Sequence, residues 1–296
     1  MPYLLLVLTT LFWSGNFVIS RGMHAEIPPL ALSFWRWFFA LVILSFFGVR
    51  HLYLQRKIVR RHLRFICIQG VLGVATFNSL IYMAVQSTTA INAVLVNSCI
   101  PVLIAVCSWI MFREVMGLRQ CLGVLVSLGG VSMIIFRGDL GSLQELAFNR
   151  GDLLVFLAAL VWSLYSTNLK RFPPELHPFA YLSGIVIVGL VCISPMYAIE
   201  LSLGRDFAFT PSTFFSILYV AVFASVLAFI FWNRAVRTVG ANRAGPFIHL
   251  MPVFSSILAI IFLGERLYSY HLVGIGLIFV GIAMTTIGVS RAARKT

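Results

Sequence analysis

Polar and aromatic side chains recur at helical spacing inside stretches that are otherwise apolar. Thr9, Trp13, Asn16 and Ser20 advance by three and four residues and share one helical face. Asn78, Tyr82 and Gln86 step by four, and Asn97, Pro101, Ala105 and Ser108 align, as do His249, Pro252, Ser256 and Ala259. Trp162 and Tyr165 share a face, with Asn168 a turn beyond. Polar groups in an apolar medium are costly and face a bundle interior or a cavity. Any one of these residues could be glue between helices. Five such faces mixed with aromatics suit a cavity that stacks a flat side chain and hydrogen-bonds an amino-acid backbone. The substrate-binding candidates are therefore Trp13, Asn16, Asn78, Tyr82, Asn97, Trp162, Tyr165 and His249.

His249 is either a ligand for a substrate carboxylate, a proton carrier near neutral pH, or a structural hydrogen-bonder. Pro101 and Pro252 each remove a backbone donor within an apolar run and free a carbonyl one turn earlier, marking candidate helix breaks or hinges. Arg36, in FWRW, either snorkels outward or meets an anionic group. None of the nine carboxylates falls near the centre of an apolar run, which disfavours a buried acidic proton relay. Glu114 and Glu265 close two such runs and are expected to pair with nearby Arg119 or Arg266, or with a helix N-terminus.

The same inventory argues against catalysis. There is no HExxH, P-loop, GxSxG or pair of intramembrane aspartates, so no catalytic residue, metal site or cofactor is expected. The five cysteines are odd in number and form no CxxC pair, which indicates neither a disulfide framework nor a zinc site. A channel would need a ring of charge or carbonyls, and none is legible.

The elements that must hold these faces are membrane helices. The chain has 296 residues, of which 60% are hydrophobic and only 10% charged. A soluble domain carries roughly a quarter charged residues and under half apolar ones. A ruler of about 20 apolar residues finds ten spans, near 3–21, 29–49, 63–85, 89–111, 117–136, 151–170, 177–198, 213–234, 242–262 and 270–290. The N-terminal run lacks a basic start and an A-x-A site, so it reads as the first span and not as a cleaved signal. The expected fold class is an all-α polytopic membrane protein with ten transmembrane helices. Connectors are short and leave no room for a soluble domain.

The net charge of +13 does not mark a nucleic-acid binder, because the basic residues sit in connectors and not in a patch beside aromatics. Ten spans put both termini on one side. With that side cytoplasmic, the inner connectors and tail hold sixteen Lys and Arg and the outer connectors five, as the positive-inside rule requires. The run VRHLYLQRKIVRRHLRF is then a cytoplasmic loop expected to lie against anionic headgroups.

The plan is written twice. Sliding the chain by 151 residues sets Pro101 on Pro252, Glu114 on Glu265, Gly123 on Gly274 and Gly130 on Gly281. A slide of 149 pairs Trp13-Ser14 with Trp162-Ser163. Five spans per copy is odd, so the second copy enters from the opposite side, and matching connectors carry opposite charge bias. The expectation is a 5+5 inverted repeat, residues 1–138 and 139–296, that exposes a midplane site alternately by rocking its halves. The glycines Gly123, Gly129, Gly130, Gly274, Gly276 and Gly281 suit close helix packing within a protomer or between two.

LGERLYSYHLVGIGLIFVGI and its first-half echo FREVMGLRQCLGVLVSLGGV resemble the EamA repeat of the drug/metabolite transporter superfamily. FWSGNFVISRG, followed by PLALSFWRWFFALVIL, resembles the start of that repeat. The resemblance covers both copies, and within the superfamily it is similar to bacterial YddG-type amino-acid exporters. It implies ten helices around a central cavity and export of small metabolites across the bacterial inner membrane. The expected substrates are neutral or aromatic amino acids; the alternative is efflux of lipophilic or cationic drugs, which would prefer an acidic cavity residue. The expected partners are that small molecule and the lipid bilayer, with the chain a monomer or homodimer.

Overall fold

The computed structural model describes residues 1–23, 25–88, 90–139, 149–263 and 268–287. Among them the chain is helical throughout, without strands. The first copy runs α1 (Pro2–Gly22), α2 (Pro29–Phe47), the short α3 (Val49–Leu54) and α4 (Arg56–Arg61), α5 (Leu63–Gln69), a π-helical segment (Gly70–Thr76), α6 (Phe77–Ala84), α7 (Ala90–Asn97), α8 (Ile100–Phe112) and α9 (Leu118–Ile135). The second runs α10 (Arg150–Asn168), α11 (Pro178–Ser202), α12 (Pro211–Tyr219), a second π segment (Val220–Leu227), α13 (Ala228–Val239), α14 (Ala241–Ala244), a 3-10 segment (Gly245–His249), α15 (Leu250–Leu263) and α16 (Ser269–Thr286).

Nine segments among the described residues are long and apolar enough to cross a membrane, one fewer than the ten expected. The span expected over 242–262 is the exception. It is divided into α14, the 3-10 segment and α15, and α15 has only 14 residues. The run expected over 89–111 is also interrupted, between α7 and α8. Interruptions of this kind survive at membrane depth only where protein surrounds the freed backbone groups.

Helix starts follow the local chemistry. Proline opens α1, α2, α11 and α12, where its missing N–H costs no helical bond. Asn149 and Asp152 form a reciprocal capping box at α10, with bonds of 3.1 and 2.9 Å. The start of α2 is capped from afar: buried Glu200 on α11 accepts from the N–H groups of Leu30 and Ala31 at 3.3 and 2.8 Å. A carboxylate at a helix N-terminus meets both unpaired donors and the positive end of the dipole.

Packing is reciprocal between the copies. α1 packs on α13 and α15, while α10 packs on α6 and α8. α2 lies on the π segment of the second copy and α11 on that of the first. Those two π segments start 150 residues apart. α9 and α16 clasp directly and antiparallel, Gly123 facing Gly281 and Gly130 facing Gly274. A Cβ added at Gly130 would sit 2.6 Å from the Gly274 carbonyl oxygen, and one at Gly123 2.6 Å from that of Gly281, so only glycine allows this approach. Under the 151-residue slide each glycine touches the mate of the other, which is what two oppositely directed copies related by a two-fold axis must do. The glycine seam is therefore internal to the protomer.

Outside, Phe46, Leu125, Val191, Phe215 and Phe279 are exposed, an apolar surface suited to lipid tails. The basic connector after α2 is docked on protein as well as exposed. His62 Nε2 meets Glu175 Oε1 at 2.8 Å, Gln55 donates to the Glu175 carbonyl at 3.0 Å, and the rings of His51 and His177 stack at 3.7 Å. Glu175's own backbone, and then His62, hold its carboxyl below the usual carboxylate range. Burial, and then the charge of His51, lower the pKa of His177. Glu114 pairs with Lys170 at 2.5 Å and not with Arg119 as expected, because the stretch after α8 leaves the helix and faces the end of α10. Glu265 and Arg266 lie outside the described residues.

Candidate functional site

The two copies enclose a central cavity lined by Trp13, Asn16 and Phe17 of α1, Phe77, Asn78 and Ile81 of α6, Asn97, Ile100, Trp162, Phe229, Ile248 and Met251. Water-sized spheres can centre in only ≈ 30 Å³ of it. On that measure one water needs about 10–15 Å³, so the space is narrow in this conformation.

Aromatic rings form the walls. Trp13 and Trp162 meet edge to face at 5.0 Å, Phe77 lies 4.7 Å from Trp162, and Tyr165 stacks behind Trp162 at 5.0 Å. Trp13 donates its indole N–H to the Ala224 carbonyl at 3.2 Å, a carbonyl of the second π segment. Trp162, its mate in the repeat, has no partner for Nε1. Asn97 Oδ1 is likewise buried and unpaired. A buried polar atom without a partner loses about 1–3 kcal/mol, and here two residues that line the cavity each carry one.

Behind this wall lies a polar cluster. Tyr82 donates to Asn16 Oδ1 at 3.1 Å. Arg36 is buried and donates to Tyr82 Oη at 2.5 Å, Asn78 Oδ1 at 2.8 Å, Ser225 Oγ at 2.8 Å and the Ala224 carbonyl at 3.3 Å. It does not snorkel. Its charge faces neutral oxygens and the rings of Trp37 and Tyr82 at 5.0 and 5.8 Å.

The breaks flank the cavity. Pro101 sits in the first turn of α8 and Pro252 is the third residue of α15, so each stands where a helix restarts and its missing N–H breaks no ladder. Gly245 approaches Pro101 closely enough that a Cβ would lie 3.3 Å from Pro101 Cα. Crossed hydrogen bonds tie the copies here: Ser14 Oγ to the Met251 carbonyl at 3.1 Å, and its mate Ser163 Oγ to the Ile100 carbonyl at 3.4 Å. Each first helix thus bonds a carbonyl in the first helical turn after the break in the opposite copy.

Of the expected site residues, Trp13, Asn16, Asn78, Asn97 and Trp162 line the cavity. Tyr82 and Tyr165 stand one layer back, where Tyr165 donates to Asn233 Oδ1 at 2.8 Å. His249 does not line it. Its Nε2 donates to the Ser98 carbonyl at 2.9 Å and its Nδ1 faces Ser127 Oγ at 2.7 Å, so both ring nitrogens are occupied in pinning the two breaks to α9. Sequence reasoning did not assign Phe17, Phe77, Phe229, Ile248 and Met251 to the cavity, and it left the role of Arg36 open. No cluster of His, Cys, Asp or Glu that could hold a metal occurs among the described residues.

The sequence pattern of the EamA-like transporter family matches residues 1–136 and 149–287, once in each copy. An uncharacterized transporter of Bacillus subtilis (strain 168), YyaM, is 23% identical over 292 residues, covering 98% of this chain and 94% of its own. An uncharacterized transporter of Archaeoglobus fulgidus is 26% identical over 286 residues, 96% of each chain. A solved crystal structure superposes with a TM-score of 0.79 at 18% identity, over 98% of this chain and 97% of that one, so the fold is shared. Apolar helices long enough to cross a membrane, a reciprocal two-copy architecture and a family match in each copy converge: the chain is a multi-pass membrane transporter, not an enzyme, and belongs to the EamA-like transporter family.

Proposed function

We propose that this transporter exports neutral and aromatic amino acids across the bacterial inner membrane by alternating access through the central cavity, with both termini cytoplasmic. The observation that carries the reading is the aromatic box about the cavity, in which Trp162 and Asn97 also hold buried polar atoms, Nε1 and Oδ1, without partners among the described residues. The rings take the flat part of a side chain. The indole N–H donates to a carboxylate and the amide oxygen accepts from an ammonium. The repeat-related interruptions at Pro101 and Pro252 serve as hinges on which the halves rock, in the manner of inverted-repeat carriers. Lipophilic or cationic drugs are the weaker reading, because no acidic side chain among the described residues lines the cavity.

The test is counterflow in proteoliposomes preloaded with unlabelled amino acids, following labelled phenylalanine, threonine and methionine without a pH gradient. Saturable exchange is the expected result and indicates a facilitator. Exchange that appears only under a pH step indicates proton coupling. Silence under both conditions sinks the amino-acid reading.

A further inference from the structure

Arg36 sits seven residues into a 19-residue membrane helix and is 1% exposed. Burying a guanidinium at that depth is expensive, and intramembrane charges pair with one another, with backbone carbonyls or with a ligand. Here four donor contacts are made, all to neutral oxygens of Tyr82, Asn78, Ser225 and Ala224. No carboxylate among the described residues meets it, since both ion pairs are elsewhere. If the purpose were only to tie α2 to α6 and the second π segment, a neutral donor would do so without the cost of desolvating a charge.

The charge also lies directly behind the cavity. Asn78, which lines it, gives its Oδ1 to Arg36 and one Nδ2 hydrogen to the Gly73 carbonyl at 3.3 Å, leaving its second Nδ2 hydrogen unspent. Trp162, which lines the same cavity, has a buried Nε1–H without a partner among the described residues. Two neutral donors backed by one uncompensated cation make a site for a negative group.

We propose that Arg36 is the counter-charge for a carboxylate on the transported substrate, which accepts hydrogen bonds from Asn78 Nδ2 and Trp162 Nε1. Arg36 acts through Asn78 and through its field in a low-dielectric site, so it is a specificity-determining and positioning residue. This rests on the cavity being the substrate site, as proposed above, and adds that the carboxylate is indispensable while the ammonium is not. Asn97 Oδ1 accommodates an ammonium without a full opposing charge. Carboxylates lacking an amine therefore bind, and amines lacking a carboxylate do not.

The experiment is thermal unfolding of the purified full-length protein with four probes: phenylalanine, 3-phenylpropionate, phenylalaninamide and phenethylamine. Phenylalanine and 3-phenylpropionate are expected to raise Tm with half-effects about tenfold or more below those of the amide and the amine. Arg36→Gln abolishes that preference and Arg36→Lys keeps part of it. Because Arg36→Gln could fail to fold, Asn78→Asp is the second arm. It supplies an internal carboxylate beside Arg36, and is expected to raise the ligand-free Tm while erasing the response to both acids. Equal stabilisation by phenethylamine and phenylalanine, or an unchanged acid response in Asn78→Asp, overturns the proposal and leaves an aromatic substrate standing. A response to 3-phenylpropionate without one to phenylalanine supports the carboxylate site and sinks the amino-acid reading. No response to any probe overturns both.

Discussion

Trp13 and Trp162 occupy matching positions in the two copies and touch each other edge to face, ring centroids 5.0 Å apart and planes at 87°. Residues related by a two-fold axis can touch only on that axis, so this contact marks the axis at the wall of the cavity. The pair is also where the two halves part chemically, since Trp13 has a hydrogen-bond partner and Trp162 has none.

Trp162→Phe keeps the ring contact and removes the open N–H. It is expected to raise the KM for counterflow several-fold with Tm little changed, whereas Trp162→Ala removes the wall and cuts flux about tenfold or more. Normal flux in Trp162→Ala would place the substrate elsewhere.

The glycine clasp gives a stability test with built-in controls. Gly130→Ala and Gly274→Ala force a methyl against backbone oxygen at 2.6 and 2.7 Å, and are expected to cost about 1–3 kcal/mol and lower Tm. Gly129→Ala and Gly276→Ala face open space and are expected to leave Tm unchanged or slightly raised. Equal effects from both pairs would mean that the helices do not clasp as described.

His249→Ala takes one partner each from the Ser98 carbonyl and the Ser127 hydroxyl, which keeps its bond to the Val124 carbonyl at 2.9 Å. The expected loss is about 1–3 kcal/mol of stability with substrate KM unchanged within about twofold. A large KM change at unchanged Tm would restore His249 to the substrate site.

The docking of the basic connector should depend on pH. A base whose pKa is depressed by folding stabilises the fold above its unfolded value and loses that contribution as pH falls through the folded one. His177 is such a base. A spin label at position 53 is therefore expected to become more mobile as pH falls below about 6.5, the ordinary histidine value. In His177→Gln that transition should vanish.

The membrane class, the duplication and its inversion were legible because apolar length, paired prolines, paired glycines and connector charge each report on one physical requirement. Trp13, Asn16, Asn78, Asn97 and Trp162 were legible because a polar or indole group inside an apolar run needs somewhere to point. Phe77, Phe229, Ile248 and Met251 were not: an apolar side chain toward a cavity and one toward lipid look the same in sequence. His249 was misplaced by one position. The face that lines the cavity carries Ile248 and Met251, one position earlier than His249 and Pro252, and His249 turns to Ser98 and Ser127. Arg36 could not be decided from depth alone, because the sequence does not tell whether neutral oxygens from α6 and the second π segment await it.

Arg36 has no mate. At the 149-residue slide its position falls on Ile185, an aliphatic residue buried on α11. An assembly of two identical half-length chains would be obliged to place every such group twice, setting two guanidinium charges around one small space. Joining both copies in a single polypeptide removes that obligation. It gives the cavity a distinct pole, with a cation behind one wall and an aliphatic side chain at the matching position of the other copy.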